Sequence, residues 1–286
     1  MRKIILGKTG MEISRVVFGG IICSNEEQKD ADRYVADAVG RGVNYFDVAP
    51  SYGDAELKLG PALAPYRKDV FLSCKTAERS AVKSKEEFEK SFKNLKTGYF
   101  DVYQLHALSA PEEVDAVFGK GGAMETLIQA KASGRVKYLG LTSHDAETAL
   151  IALGRYDFDT VMFPVNWALG LGSAFEGRLI EYCVDKRIGL LGMKTLAHRK
   201  WREGEERAYP KSWCRILYGD DKLGKAALKY TLSRGAHAVV PPGNFESFSF
   251  CVKHIDECAD NPLDIGEAAY LKTMLPDGAE MIFKTQ

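Results

Sequence analysis

Neither sign of charge prevails in this chain: 39 lysines and arginines face 39 aspartates and glutamates, so the formal net charge is zero. That balance argues against nucleic acid or an anionic membrane as the main partner. Long hydrophobic runs are missing too. The N-terminus, MRKIILGKTG, has a three-residue apolar run where a signal peptide needs a longer one, and no stretch approaches the roughly 18 apolar residues of a membrane span. The six cysteines (Cys23, Cys74, Cys183, Cys214, Cys251, Cys258) form no CxxC pair. Scattered thiols without a secretory signal lead us to expect a reducing, cytoplasmic setting. Also missing is a G-x-G-x-x-G after the first strand, where the chain reads GGIICSNE.

One cysteine cluster has two readings. Cys251, His254 and Cys258 share a face of an expected helix and are all metal-ligand types, but a structural zinc site closes with four ligands from more than one segment, and no fourth is near. Buried residues on an amphipathic helix are the preferred alternative, and no metal is expected.

What is present is alternation. A hairpin is expected over 2–14, turning at Gly7 and Thr9-Gly10. Strands then read at 16–20, 43–47, 70–75, 101–106, 135–141, 159–163, 188–193 and 237–241. Helices read at 27–40, 54–63, 84–97, 122–133, 145–153, 174–186, 222–234 and 245–258, with an extra one near 264–275. Ser84, with Glu87 three residues on, has the capping-box spacing for the third helix. Strict strand–helix alternation implies right-handed parallel crossovers, and eight such units close into a (β/α)8 TIM barrel over 1–286, one α/β domain. A doubly wound open sheet is the alternative. The region 197–220 breaks the rhythm. It holds Trp201, Tyr209, Trp213 and Tyr218, and reads as a long aromatic loop at the barrel mouth.

In such a barrel the C-terminal strand ends form the active face. There fall Gly19 and Gly20, Asp47 and Tyr52, Lys75, His106, Thr142 and Ser143, Asn166, Lys194, and Pro242-Gly243. Singly, Asp47 reads as a turn residue, Tyr52 as a packing residue, Lys75 as a solvated strand end and His106 as a satisfied loop histidine. Jointly they suit a reaction. A tyrosine with an intrinsic pKa near 10 is a poor proton donor at neutral pH. An ammonium about 4 Å away contributes roughly 4 kcal/mol at an effective dielectric near 20, enough to lower that pKa by about one to three units. Asp47 would keep the buried Lys75 charged, and a neutral His106 would orient a carbonyl oxygen. No side chain supplies hydride, so protonation of an alkoxide here requires a reduced nicotinamide.

The segment GVNYFDVAPSYGDAELKLG (42–60), with FLSCKT, YFDVYQLH, GRVKYLGLTSHD (134–145) and AALKYTLSRGAHAVVPPGNFES, resembles the aldo-keto reductases over essentially the whole chain. That resemblance implies a barrel enzyme, usually NADPH-dependent, that reduces a small-molecule aldehyde or ketone. It implies Tyr52 as general acid, Lys75 as the group tuning it, Asp47 as the partner of Lys75 and His106 as the orienting group. It also implies a cofactor cradle from Gly20, Thr142, Ser143, Asn166, Met193, Lys194, Pro242, Gly243 and Asn244. The sequence departs from the family's pattern where Met162 replaces an amide and Met193 a stacking aromatic. The basic clamp expected for an adenosine 2′-phosphate is missing around 242–248. NADP(H) is the first choice on family habit, with NAD(H) the alternative. Trp167, Tyr209 and Trp213 are candidates for an aromatic-lined substrate pocket. A binding or regulatory protein that keeps the cofactor but turns over little is the competing function.

Overall fold

A computed structural model describes residues 1–173, 175–209, 211–217 and 219–283; Tyr218 of the aromatic loop and Ala174 of the expected helix 174–186 lie outside the described residues. The opening hairpin pairs β1 (Lys3–Ile5) with β2 (Glu12–Ser14), antiparallel. The barrel strands are β3 (Phe18–Gly19), β4 (Tyr45–Asp47), β5 (Phe71–Thr76), β6 (Phe100–Leu108), β7 (Val136–Ser143), β8 (Thr160–Pro164) and β9 (Gly189–Met193). After a second hairpin, β10 (Ala197–Lys200) with β11 (Cys214–Ile216), the barrel ends with β12 (Ala238–Val240). The eight barrel strands are parallel neighbours in the order β12-β9-β8-β7-β6-β5-β4-β3. The Val16–Val239 bridge joins the two ends of that sheet: the Val17 N–H donates to the Val239 carbonyl at 2.9 Å, and the Val239 N–H to the Arg15 carbonyl at 2.9 Å. This is the (β/α)8 barrel that the alternation predicts.

The strands are buried on both faces, which is why they read as apolar runs rather than as alternating ones. The helices show the complementary pattern. Helix Gln28–Gly40 buries Ala31, Val35 and Ala38, spaced one per turn, and leaves its charges outside. The first hairpin closes the N-terminal end of the barrel: its Leu6, Met11 and Ile13 pack with Val17, Tyr45, Val102 and Leu191 from the interior. Gly7 lies so close there that a Cβ would sit 2.4 Å from the Gly189 amide nitrogen.

One local expectation is corrected. The third helix runs Ala81–Leu95 and is capped by Ser80, whose side chain accepts from the Lys83 N–H. Ser84 is buried within it, and Glu87 instead accepts from the Ala77 N–H at 3.0 Å. Two short helices, Pro111–Phe118 and Trp167–Gly172, fall in segments to which the sequence pattern assigns no element. The long aromatic loop expected over 197–220 is framed by the short strands β10 and β11, with Arg199 and Arg215 both on Glu205 and the Trp201 indole N–H donating to the Ser212 carbonyl at 2.9 Å. The extra helix Ile265–Thr273 opens on a complete capping box from Asp264 and Glu267. Cys251, His254 and Cys258 face the core on helix Phe245–Asp260.

Candidate active site

The C-terminal strand ends converge on a cleft lined by Gly19, Asp47, Tyr52, Lys75, His106 and Thr142, with Met162, Met193, Lys194 and Trp213 among its other walls. Parallel register brings the first groups together: Asp47 of β4 stands opposite Ser73 of β5, and Lys75 opposite Gln104 of β6. Lys75 is fully buried. Its ammonium is paired with the Asp47 carboxylate, donates to the Val48 carbonyl at 3.2 Å and reaches the Tyr52 hydroxyl at 3.4 Å. The Gln104 amide donates to Asp47 Oδ1 at 3.1 Å and to Ser73 Oγ at 2.7 Å, fixing the carboxylate from its other side.

Burial alone would lower the Lys75 pKa; the attraction of Asp47, then of Tyr52, overrides it, and the net pKa rises. Tyr52 does not follow the expectation of a lowered pKa. Burial raises it, Lys75 pulls it down by less, and Asp47 adds to the rise, so the phenol stays protonated at neutral pH. The attraction of Lys75 thus opposes the rise of the Tyr52 pKa without reversing it. The His106 ring packs edge-on to Tyr52 with centroids 5.8 Å apart. Burial first, then the charges of Lys75, His144, Arg79 and Lys194, push its pKa down to about 3, so it is neutral.

A local irregularity aims His106. The β6–β7 register shifts between Leu105 and Leu108, and Ala107 takes a left-handed φ of 51°. Arg79 Nη2 holds that kink by donating to the His106 carbonyl at 2.9 Å, and the Ala107 N–H donates to Thr142 Oγ1 at 2.7 Å.

The other expected site residues divide. Thr142, Met193, Lys194, Pro242, Gly243 and Trp213 line the cleft. Gly20 lies beside it, where a Cβ would come 2.9 Å from the Val48 side chain. Asn244 and Tyr209 line an adjoining cavity, reached past Gly243 and Lys211. Three are not brought to the cleft. Ser143 is buried and donates to the Leu108 carbonyl at 2.6 Å. Asn166 caps helix Trp167–Gly172 and donates to the Lys194 and Ala197 carbonyls, both at 2.8 Å, so its amide is fully occupied. Trp167 is fully buried and stacks on His198.

Sequence reasoning missed Gln104 and His144. Each stood in a quoted segment: Gln104 on the inward row that ends at His106, and His144 one residue past β7. It also missed Lys211, which donates to the Ile22 carbonyl at 2.7 Å and pairs with Glu26 across the groove. No local signal marks a contact so distant in sequence.

The start of helix Phe245–Asp260 offers a polar cofactor a donor, the Ser247 hydroxyl, and an acceptor, Asn244 Oδ1. Its N-cap, Asn244, makes no side-chain cap bond, and both Asn244 Oδ1 and Ser247 Oγ are buried without a partner among the described residues.

The sequence profile described as "Aldo/keto reductase family" matches residues 15–242. The oxidoreductase YqkF of Bacillus subtilis is 31% identical over 157 residues, covering 50% of this chain and 49% of that protein. The L-galactose dehydrogenase of Arabidopsis thaliana is 25% identical over 208 residues, 67% of this chain and 64% of that protein. The matched stretches thus span about half to two thirds of these relatives' length. Among solved structures, the aldo-keto reductase AKR11C1 of Bacillus halodurans superposes with a TM-score of 0.71 at 21% identity, over 96% of this chain and 97% of that one, a likeness of fold. With a profile match across most of its length and the barrel in place, the chain belongs to the aldo/keto reductase family.

Proposed function

We propose that this protein reduces aldehydes or ketones to alcohols with NAD(P)H, using Tyr52 as the proton donor. The observation that carries this reading is the Lys75 ammonium, held by Asp47 and standing 3.4 Å from the Tyr52 hydroxyl at an open cleft. A reduced nicotinamide, when bound, supplies the hydride that no side chain can. Tyr52 then gives its proton to the carbonyl oxygen as that oxygen becomes an alkoxide. The phenolate left behind is stabilised by Lys75, whose charge Asp47 maintains. His106, neutral, donates a hydrogen bond to the same carbonyl oxygen and fixes its approach. Met162, Met193 and Trp213 give the cleft apolar walls.

Gly20, Pro242, Gly243 and the uncapped helix start at Asn244 form the proposed cofactor cradle, with Thr142 and Lys194 at the reacting end. NADP(H) is the first coenzyme on family habit and NAD(H) the second. A cytoplasmic location is part of the same proposal; among the described residues no helix is long and apolar enough to cross a membrane.

The test is oxidation of NADPH and of NADH by the purified protein with a panel of aldehydes and ketones, alongside coenzyme titration by fluorescence. Turnover with at least one carbonyl is expected. Tight coenzyme binding without turnover of any carbonyl would overturn the reading in favour of a regulatory protein.

A further inference from the structure

Four cations stand in or just behind the cleft walls, and three have carboxylate partners. Lys75 is paired with Asp47, Lys211 with Glu26, and Arg79 with Glu113. Lys194 has none among the described residues. Its ammonium lies 4.7 Å from the centroid of the Trp213 ring, and its backbone holds a left-handed φ of 66°. That conformation costs a lysine energy unless its surroundings enforce it, and here the Lys194 carbonyl is fixed by the Asn166 amide at 2.8 Å and the Ala197 N–H at 2.9 Å. The strained turn thus aims the side chain into the cleft.

The groups around Lys194 supply no counter-charge among the described residues. Burial depresses its pKa, the nearby Cys214 thiol opposes this, and Lys75 adds to the fall. Lys194 in turn helps hold His106 and His144 neutral, and burial is the larger cause for both. Among the described residues the only carboxylate lining the cleft is Asp47, which Lys75 already engages. A half-buried ammonium with no counter-charge, facing a cavity, is a receptor for an anion.

Which anion follows from position. The partnerless donor suited to a cofactor's phosphate, the Ser247 hydroxyl, lies in the first turn of helix Phe245–Asp260 beside that helix's free backbone amides. Lys194 lies instead within the electrostatic reach of Lys75 and His106, the reacting end. We propose that Lys194, with Trp213 as its apolar floor, receives an anionic substituent of the substrate, so that the enzyme prefers carbonyl compounds bearing a carboxylate or phosphate. This moves Lys194 from the cofactor's cradle to the substrate's, and it rests on the carbonyl-reductase reading above.

The test compares kcat/KM at saturating coenzyme for 4-carboxybenzaldehyde against its methyl ester, and for glyceraldehyde 3-phosphate against glyceraldehyde. The two pairs separate a carboxylate source from a phosphate one. Wild type is expected to favour the anion in at least one pair by about tenfold or more. Lys194→Met should collapse that ratio, and Lys194→Arg should restore most of it. A readout without turnover uses tryptophan fluorescence: benzoate should perturb the wild-type signal more than benzamide does, and Lys194→Met should abolish the difference. Anion-to-neutral ratios near one in both pairs would overturn the proposal. So would a Lys194→Met variant that keeps its ratio while its coenzyme Kd rises about tenfold, because Lys194 would then serve the cofactor. If wild type reduces no carbonyl at all, the reductase reading fails, and the benzoate titration alone decides whether Lys194 receives an anion.

Discussion

Asp47 shows how one buried charge depends on another. Its carboxylate is the counter-ion of a fully buried Lys75, so Asp47→Asn keeps the shape and removes the charge. The expected cost is about 3–5 kcal/mol, read as a lower urea midpoint with an unchanged slope. His106 makes a second prediction at this scale. With a pKa pushed down to about 3, it stays neutral at any pH above roughly 4, so the profile of kcat/KM should show no limb near the ordinary histidine value of about 6.5. A limb there that disappears in His106→Gln would contradict this. The convergence of the tetrad Asp47, Tyr52, Lys75 and His106 on one cleft is legible in the sequence because each ends or follows a short apolar run whose period places it. Asn166 and Trp167 are not legible in the same way. The groups that occupy the Asn166 amide lie 28 and 31 residues further on, and no local pattern announces them. The net rise in the Tyr52 pKa escapes sequence reasoning for a related cause: the pairing with Lys75 can be guessed, but the depth of burial that outweighs it cannot.

At the scale of elements, strand and helix periods are read well because the barrel imposes them everywhere. Ends and inserted pieces are read less well. Ser80 rather than Ser84 caps the third helix because the preceding chain is pinned: the Ala81 N–H donates to the Gly121 carbonyl at 2.8 Å, a contact that brings in a distant segment. The helix Gly177–Asp185 starts at a residue with its own pH signature. Glu176 is buried, accepts from the Tyr230 hydroxyl at 2.7 Å, and has a second oxygen without a partner among the described residues. Burial, against the smaller effects of Tyr230 and Arg234, pushes its pKa from 4.5 up to about 7. The folded state therefore holds this proton more tightly than the unfolded one, and stability falls as pH rises from about 4.5 to about 7. Glu176→Gln removes that dependence. Relative to wild type, its unfolding free energy should gain on the order of 2–3 kcal/mol between pH 4.5 and pH 8, measured by urea denaturation across the range. A wild-type-minus-variant difference that is flat with pH would contradict the assignment.

For the whole molecule, the N-terminal hairpin does more than precede the barrel. Leu6 is fully buried among interior side chains and stoppers the end opposite the cleft. Leu6→Ala should cost about 2–5 kcal/mol, whereas Ile5→Ala, one residue away but 49% exposed, should change stability by less than about 1 kcal/mol. Equal effects of the two would mean that the hairpin does not plug the barrel. The same closed architecture leaves one working end, and there the claim that Tyr52 donates the proton is the central one. Its most direct measurement compares wild type with Tyr52→Phe for kcat on a carbonyl that wild type reduces, with coenzyme binding followed in parallel by fluorescence. The tetrad mechanism predicts a fall in kcat of about 100-fold or more with coenzyme affinity nearly unchanged; full turnover by Tyr52→Phe would contradict it.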